Sequence, residues 1–559
     1  MLKKIFLILI VIALLVFGVA YVALEGSEDL GKTAVQISVE EATAQLEKML
    51  KKVEVQELDA RKASVQLGGN SLADELPDIS QNPLVIEGKG DIDVEIFSSP
   101  EKAGTGMDGW LVDIAKQFNN QNNMINGKTV SVSLRSISSG LGADYIISGK
   151  YWPDAFTPSN EFWGKMIEAN NVDIILKEAR LVGNVAGILM EKQKQEAFIK
   201  TYGTVNMQTV IQATTKDELA MGYTNPLSSS TGLNFLVSTL NSIDGKDLLG
   251  KKAVEGFEDF QANVPFVAYT TMQMRDAATS GVFDSMILEY QTYVNTSELS
   301  NFVFSPFGVR HDNPIYAIGN LDAETESALD MFIEFCLSEE SQKSASRYGF
   351  NQLNDYVSEE PEFSGKTLLN AQSLWKEKKD SGRPVVAVFV ADISGSMSGI
   401  PLNQLKTSLI NGSQYINSSN YIGLISYNRN VYINWPIKPF DLNSRAYFTG
   451  AVEDLSEGGN TATFDAILLG LKMLLEQKEQ MPNAKLMMFV LSDGETNSGH
   501  FLPEVEDIIR ALEIPIYTIG YNANIDALKT ISAINEAASI NASSDDVVYA
   551  LKNLFNAQM

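Results

Sequence analysis

Three oxygen-rich turns, each joined to an apolar run, carry the chemistry that this sequence can perform. The first is Asp392-Ile393-Ser394-Gly395-Ser396, reached from the apolar run 385–390. A carboxylate and two hydroxyls alternate there, so in an extended turn every second side chain points the same way. The second is Gly458-Gly459-Asn460-Thr461-Ala462-Thr463, which leads into an apolar helix and places a hydroxyl at the junction of loop and helix. The third, Ser492-Asp493-Gly494-Glu495, closes a second apolar run at 486–491. Carboxylates and hydroxyls without sulfur or imidazole form a donor set that hard divalent cations such as Mg²⁺, Ca²⁺ and Mn²⁺ prefer. Taken singly, Thr461 also reads as an ordinary helix N-cap and Asp493 as an ordinary turn acid.

The elements around these turns explain how they would meet. Runs 385–390 and 486–491 are continuous rather than alternating, as in parallel strands buried on both faces. Open α/β sheets bind ligands at the carboxyl ends of such strands. Strands are expected at 421–427 and 431–435 as a hairpin turned by Asn428-Arg429-Asn430, and at 514–519, with 505–512 as a crossover helix. Helices at 402–415, 464–475, 527–538 and 547–555 would complete a doubly wound layer. This part of the chain, 384–559, resembles a von Willebrand factor A domain with its metal-ion-dependent adhesion site. The resemblance assigns Asp392, Ser394, Ser396, Thr461 and Asp493 to the five motif positions. It implies that Ser394, Ser396 and Thr461 bind the cation directly and that the two aspartates act mostly through water. The open position would take a Glu or Asp carboxylate from a partner protein.

Residues 91–374 alternate strands and helices, with apolar strands near 94–97, 181–190 and 284–288 and hydroxyl-rich loops between them. Their order is similar to a type II periplasmic solute-binding protein of the oxyanion branch, in which a ligand sits between two α/β lobes. That resemblance implies a ligand site from Ser98, Ser99, Ser159, Ser228, Ser229, Ser230, Thr231, Glu289 and Tyr290. Hydroxyls and free N–H groups at helix starts hold an anion without a basic residue, although the same residues serve as caps and turns elsewhere. The expected fold is therefore α/β throughout, a two-lobed domain followed by a doubly wound one. Residues 375–383, with Lys376-Glu377-Lys378-Lys379-Asp380, read as the linker.

At the amino terminus, residues 5–24 contain no charge and follow Lys3-Lys4. At ~1.5 Å per residue they span a bilayer core of about 30 Å. We expect a retained transmembrane anchor over 1–24 in the cytoplasmic membrane, with the two lysines inside and the rest of the chain exported. Residues 25–90 are polar and read as a stalk, with a capping box at Ser38-Val39-Glu40-Glu41 opening a helix.

A formal charge of −27 disfavours nucleic acid, which requires clustered Lys and Arg. The single cysteine, Cys336, excludes an intramolecular disulfide, and two histidines leave little for a His-rich zinc site. No GxSxG or HExxH occurs, and Gly458-Gly459 lacks the Lys of a phosphate loop, so the chain reads as a non-enzyme. The expected function is a surface-anchored protein that recognises a partner through a divalent cation. Its solute-binding-like domain would serve as a second recognition platform. Two alternatives stand beside it: a small-anion receptor or transport accessory, and an envelope assembly factor gripping a client complex.

Overall fold

The structure, a computed structural model, describes residues 37–65, 72–264, 266–268, 274–275, 284–494, 496–521, 528, 530–532, 539–541, 551 and 554–555. Among them no helix is long and apolar enough to cross a membrane. The anchor expected over 1–24 lies outside the described residues, as do Glu495 and most of 527–538 and 547–555.

The middle unit has two sheets. The first runs in the order Leu84–Ile86, Lys128–Ser136, Ile92–Ser98, Ala155–Thr157, Ile315–Ile318, Ile174–Glu178. The second runs Phe266–Ala268, Met221–Thr224, Ser285–Glu289, Asn184–Glu191, Phe302–His311. The chain crosses between sheets after Glu178 and again after His311, which makes two lobes, as expected. The alternating hydroxyls of Lys128–Ser136 are structural: Ser131 and Ser133 each donate to Asp93 at 2.5 Å and accept from the N–H groups of Gly90 and Gly88.

Helix α1 (Val39–Leu50) and strand β1 (Val55–Glu57) precede this unit in sequence but belong to the other one. After α2 (Gly365–Lys378), which packs on the middle unit, the C-terminal unit continues with β2 (Val385–Asp392), α3 (Ile400–Gly412), β3 (Tyr421–Tyr427) and β4 (Val431–Pro439). It continues with α4 (Leu442–Glu453), α5 (Thr463–Gln480), β5 (Lys485–Ser492), α6 (Leu502–Leu512), β6 (Ile516–Gly520) and β7 (Ser539–Asn541). The sheet order is β1-β4-β3-β2-β5-β6-β7. All eight residues of β2 are buried, which is why its sequence is apolar without alternation. Val385, Ala387, Phe389 and Ala391 enter one core, with Leu405 of α3 and Phe448 of α4. Val386, Val388 and Val390 enter the other, with Ile467 of α5 and Ile508 of α6. The doubly wound layer and the β3–β4 hairpin are thus as the sequence implies.

Two expected boundaries are redrawn. The described part of 25–90 is not a free stalk. Ser38 and Glu41 form the expected capping box, but Ala42 and Leu46, one turn apart, are buried in the core formed by α5 and α6. Strand β1 pairs in parallel with β4, Val55 opposite Val431, and covers what would be an open sheet edge. Arg61 pairs with Glu453 and Asp454 at the end of α4. Farther on, Tyr145 donates to the Pro77 carbonyl at 2.8 Å and Leu84–Ile86 joins the first lobe's sheet. The segment is a strap sewn into both units. The linker expected over 375–383 also begins too early, because α2 continues to Lys378 and packs on the middle unit. Trp375 is fully buried there, its indole N–H donating to the Tyr223 hydroxyl at 2.8 Å. It stands among charged residues in the sequence, so composition alone misplaces the boundary.

Candidate functional site

Parallel strands β2 and β5 run in register, Ala391 opposite Leu491, so Asp392 and Ser492 end at the same level of the sheet. Asp392 therefore projects from the carboxyl end of the central strand, and Asp493 follows directly after its neighbour. Asp392 is buried. Its Oδ1 accepts from the Ser394 N–H at 2.8 Å and its Oδ2 from the Ser492 hydroxyl at 2.6 Å. The Ser394 and Ser396 hydroxyls lie 3.1 Å apart, and Ser396 donates to Asp493 Oδ1 at 2.8 Å. The Thr461 loop joins the same edge: Gly395 N–H donates to the Gly459 carbonyl at 3.0 Å and Gly458 N–H to the Ile393 carbonyl at 2.8 Å. Gly459 has φ 85°, a conformation that a side chain would strain, so glycine there lets the backbone approach. Thr461 N–H donates to Asn497 Oδ1 at 2.8 Å, which ties this loop to the turn after Asp493. All five expected residues thus lie in three mutually hydrogen-bonded loops.

Burial pushes the Asp392 carboxyl above its ordinary value, the bonds from Ser492 and Ser394 pull it back, and the Asp493 charge pushes it up again. Two carboxylates share this edge, and among the described residues neither has a lysine or arginine partner. Hydroxyls fill the space between them. Among the described residues no group of three His, Cys, Asp or Glu gathers as a metal cluster. The donor chemistry is therefore of one kind, hydroxyl and carboxylate oxygen with uncompensated negative charge, and it fits a hard divalent cation. Ser492, Asn497 and Asn428, whose carbonyl accepts from Ala462 N–H at 2.9 Å, complete the frame. Ser492 was visible only as the residue before Asp493, Asn428 only as part of the hairpin turn, and Asn497 carried no signal.

At the lobe boundary of the middle unit the structure brings the second expected set together, with its hydroxyls engaged internally. Ser98 and Ser99 are buried, and Ser99 accepts from Lys102 Nζ at 2.7 Å. Ser159 donates to Glu101 at 3.4 Å, and Ser230 accepts from the Trp163 indole at 2.8 Å. Ser229 caps the helix Ser230–Ile243, and Ser228 donates to the Asn225 carbonyl. Thr231 donates to Glu289 at 3.1 Å, while Tyr290 packs edge-on against Phe304. Glu289 also accepts from Asn184 at 2.6 Å and lies 2.8 Å from His311 Nδ1. A carboxylate of the chain itself thus holds the negative charge among the donors of the second lobe.

Sequence reasoning missed Glu101, Lys102 and His311, which look like surface residues in the chain. Lys102 is fully buried, its ammonium held by Ser99 and by the Thr157 carbonyl at 2.7 Å. Burial pushes Lys102 down to about 7. Burial, then the facing charge of Glu289, raises Glu101 to about 6. Burial also opposes the charge of Glu289, but His311, Thr231 and Lys102 together hold it below its ordinary value. A carboxyl raised in the folded state stabilises fully below its unfolded pKa and loses that contribution as pH rises. Glu101 should therefore cost the middle unit up to about 2 kcal/mol as pH climbs from 4.5 to about 6. Glu101→Gln is expected to remove this decline, read as the melting temperature of the middle unit against pH. An unchanged slope would contradict it.

Comparison with known proteins agrees with both units. Residues 387–557 match the von Willebrand factor type A domain and residues 103–351 the bacterial extracellular solute-binding protein family. The chain joins a solute-binding domain to an A domain. It is 30% identical across 175 residues to inter-alpha-trypsin inhibitor heavy chain H3 of Mesocricetus auratus, covering 28% of this chain and 19% of that protein. It is 28% identical across 152 residues to heavy chain H1 of Bos taurus, covering 25% and 16%. The chain therefore spans about a fifth of these relatives. Similar solved structures include a von Willebrand factor type A protein from Catenulispora acidiphila, at 16% identity, TM-score 0.28, covering 32% of this chain and 43% of that one. The sulfate-binding protein SubI from Mycobacterium tuberculosis H37Rv is 14% identical, at TM-score 0.34, covering 47% and 87%.

Proposed function

We propose that this is a membrane-anchored, extracytoplasmic protein whose A domain recognises a partner protein through a divalent cation, Mg²⁺ first, with Ca²⁺ or Mn²⁺ as alternatives. Asp392, Ser394, Ser396, Thr461 and Asp493 would hold the ion. The observation that carries the reading is the hydrogen-bonded chain from Asp392 through Ser394 and Ser396 to Asp493 at one sheet edge. Bound there, the cation would offer an electrophilic seat for a partner's Glu or Asp carboxylate. The chain's own part is to hold the seat rigid. Ser492 and the Ser394 N–H use both oxygens of Asp392, which fits an indirect role for that carboxylate, and Asn497 fixes the loop of Thr461. The role is recognition rather than turnover.

The test is capture of partners from the native envelope by wild type and by Asp392→Ala, each in Mg²⁺ and in EDTA. Wild type should recover partners in Mg²⁺ alone and the variant should recover none of them, with both folded by circular dichroism. Equal recovery in all four arms would overturn the reading.

A second reading, a receptor whose middle domain takes a small anionic solute, draws on one observation. Lys102 of the first lobe faces Glu289 and His311 of the second, all buried at the lobe boundary. A solute that exchanged for an internal partner there would bias closure of the lobes.

A further inference from the structure

Behind the metal edge stands a pair of side chains that the five expected residues do not include. Asp465 lies in the first turn of α5, one helical turn after Thr461, with its side chain 12% exposed. His500 lies just before α6, in the loop that Asp493 begins, with its side chain 13% exposed. Asp465 Oδ1 accepts twice from this one residue, from the His500 N–H at 3.0 Å and from the ring Nδ1 at 2.6 Å. An ionised carboxylate only accepts, so Nδ1 carries a proton, and the bond stands whether the ring is charged or neutral. Gly499 admits this approach. Its φ is 72°, and a Cβ there would lie 2.4 Å from Asp465 Oδ2.

The pair completes a seam between two of the metal-edge loops. Thr461 N–H donates to Asn497 Oδ1 at 2.8 Å, and Asn497 N–H donates back to the Thr461 carbonyl at 3.0 Å. Ser498 N–H donates to the same carbonyl at 3.2 Å. Residues 497–500 therefore run along 461–465 and are bonded to them at both ends. Asn497 and Ser498 grip only loop backbone, whereas Asp465 belongs to a helix in which every residue from Thr463 to Leu471 is buried. It is the fixed post of the seam. An acid in a helix's first turn is favourable to the helix dipole by itself. That role alone explains neither two donors from a residue 35 positions away nor the glycine that lets them in.

We propose that Asp465 and His500 are a positioning pair for the metal site, holding the Asp493 loop against α5 so that Thr461 and Asp493 reach one ion. The pair itself touches no ion. This rests on the divalent-cation reading of that edge and adds to it the residues that keep its loops together.

The test is titration of the full chain with Mn²⁺, followed by the electron paramagnetic resonance of the free ion, with melting temperatures measured in EDTA alongside. Outer-shell partners that orient metal ligands typically contribute about 10–100-fold in affinity, so Asp465→Ala and His500→Ala should each weaken Mn²⁺ binding by about tenfold or more. Each removes the same link, so the double variant should bind no more weakly than the weaker single one. Asp465→Asn keeps an acceptor oxygen for both His500 donors and should retain most of the wild-type affinity. Wild-type affinity in Asp465→Ala or in His500→Ala would overturn the proposal and leave the cation reading intact, even if the melting temperature in EDTA fell. An Asp465→Asn variant as weak as Asp465→Ala, beside an unaltered His500→Ala, would also overturn it, because that pattern belongs to charge alone. Failure of wild type to bind Mn²⁺ would overturn both. Should Asp465→Ala fail to fold, His500→Ala set against Asp465→Asn decides the same question.

Discussion

Asp392→Ala is expected to abolish divalent-cation binding and, with it, the stabilisation that the cation gives the A domain. Binding to the folded state alone stabilises by RT ln(1 + [L]/Kd), about 2.7 kcal/mol at a hundredfold excess over Kd and about 4.1 kcal/mol at a thousandfold. For a domain of this size that corresponds to roughly 6–16 °C in melting temperature. Wild type should therefore lose this increment on addition of EDTA, while Asp392→Ala should melt at the same temperature with and without it. The pH dependence of the chelated protein gives an independent check. Asp392 is raised above its unfolded value of 3.8, chiefly by burial. A raised carboxyl stabilises fully below its unfolded pKa and loses that contribution as pH rises through its folded pKa. In EDTA, then, ionised Asp392 is a cost at neutral pH, and Asp392→Asn should be as stable as wild type or more so. A chelator-dependent shift that persists in Asp392→Ala would show that the ion, if bound, sits elsewhere.

That site was legible because its parts are local. Asp392, Ser394 and Ser396 lie within five residues, and each remaining member follows or opens an apolar element whose period is unmistakable. Register did the rest: once β2 and β5 are parallel neighbours, their ends must share an edge. What the sequence hid depends on pairing across great distance. β1 joins Val55 to Val431, and three residues of mixed polarity announce no partner. Lys102 follows Pro100-Glu101 and looks like the solvated start of a short helix, yet the Thr157 carbonyl from a neighbouring strand and the Ser99 hydroxyl make it a buried cation. Trp375 stands among lysines and reads as linker until the Tyr223 hydroxyl is seen beside it. In each case the neighbours in sequence gave no sign of a partner distant in the chain, and tertiary hydrogen bonding supplied it.

The strap carries the other large expected effect. Because α1 and β1 precede the solute-binding domain yet complete the A domain, the middle domain is inserted into the A domain's chain. Leu46 is 1% exposed and sits with Ala42 between α5 and α6. Truncating such a leucine costs the transfer energy of the lost methyl groups and a term for the cavity, about 2–5 kcal/mol in all. Leu46→Ala should therefore lower the melting transition of the A domain by roughly 4–20 °C. The transition of the solute-binding domain, some of whose first strands the same segment also reaches, should stay in place, because Leu46 makes no contact with its core. The two transitions are told apart by Mg²⁺, which on our reading raises only the first. A strap that merely rested on the surface would give a change below about 1 kcal/mol, as exposed substitutions usually do. If Leu46→Ala moved both transitions together, the two domains would unfold as one cooperative body.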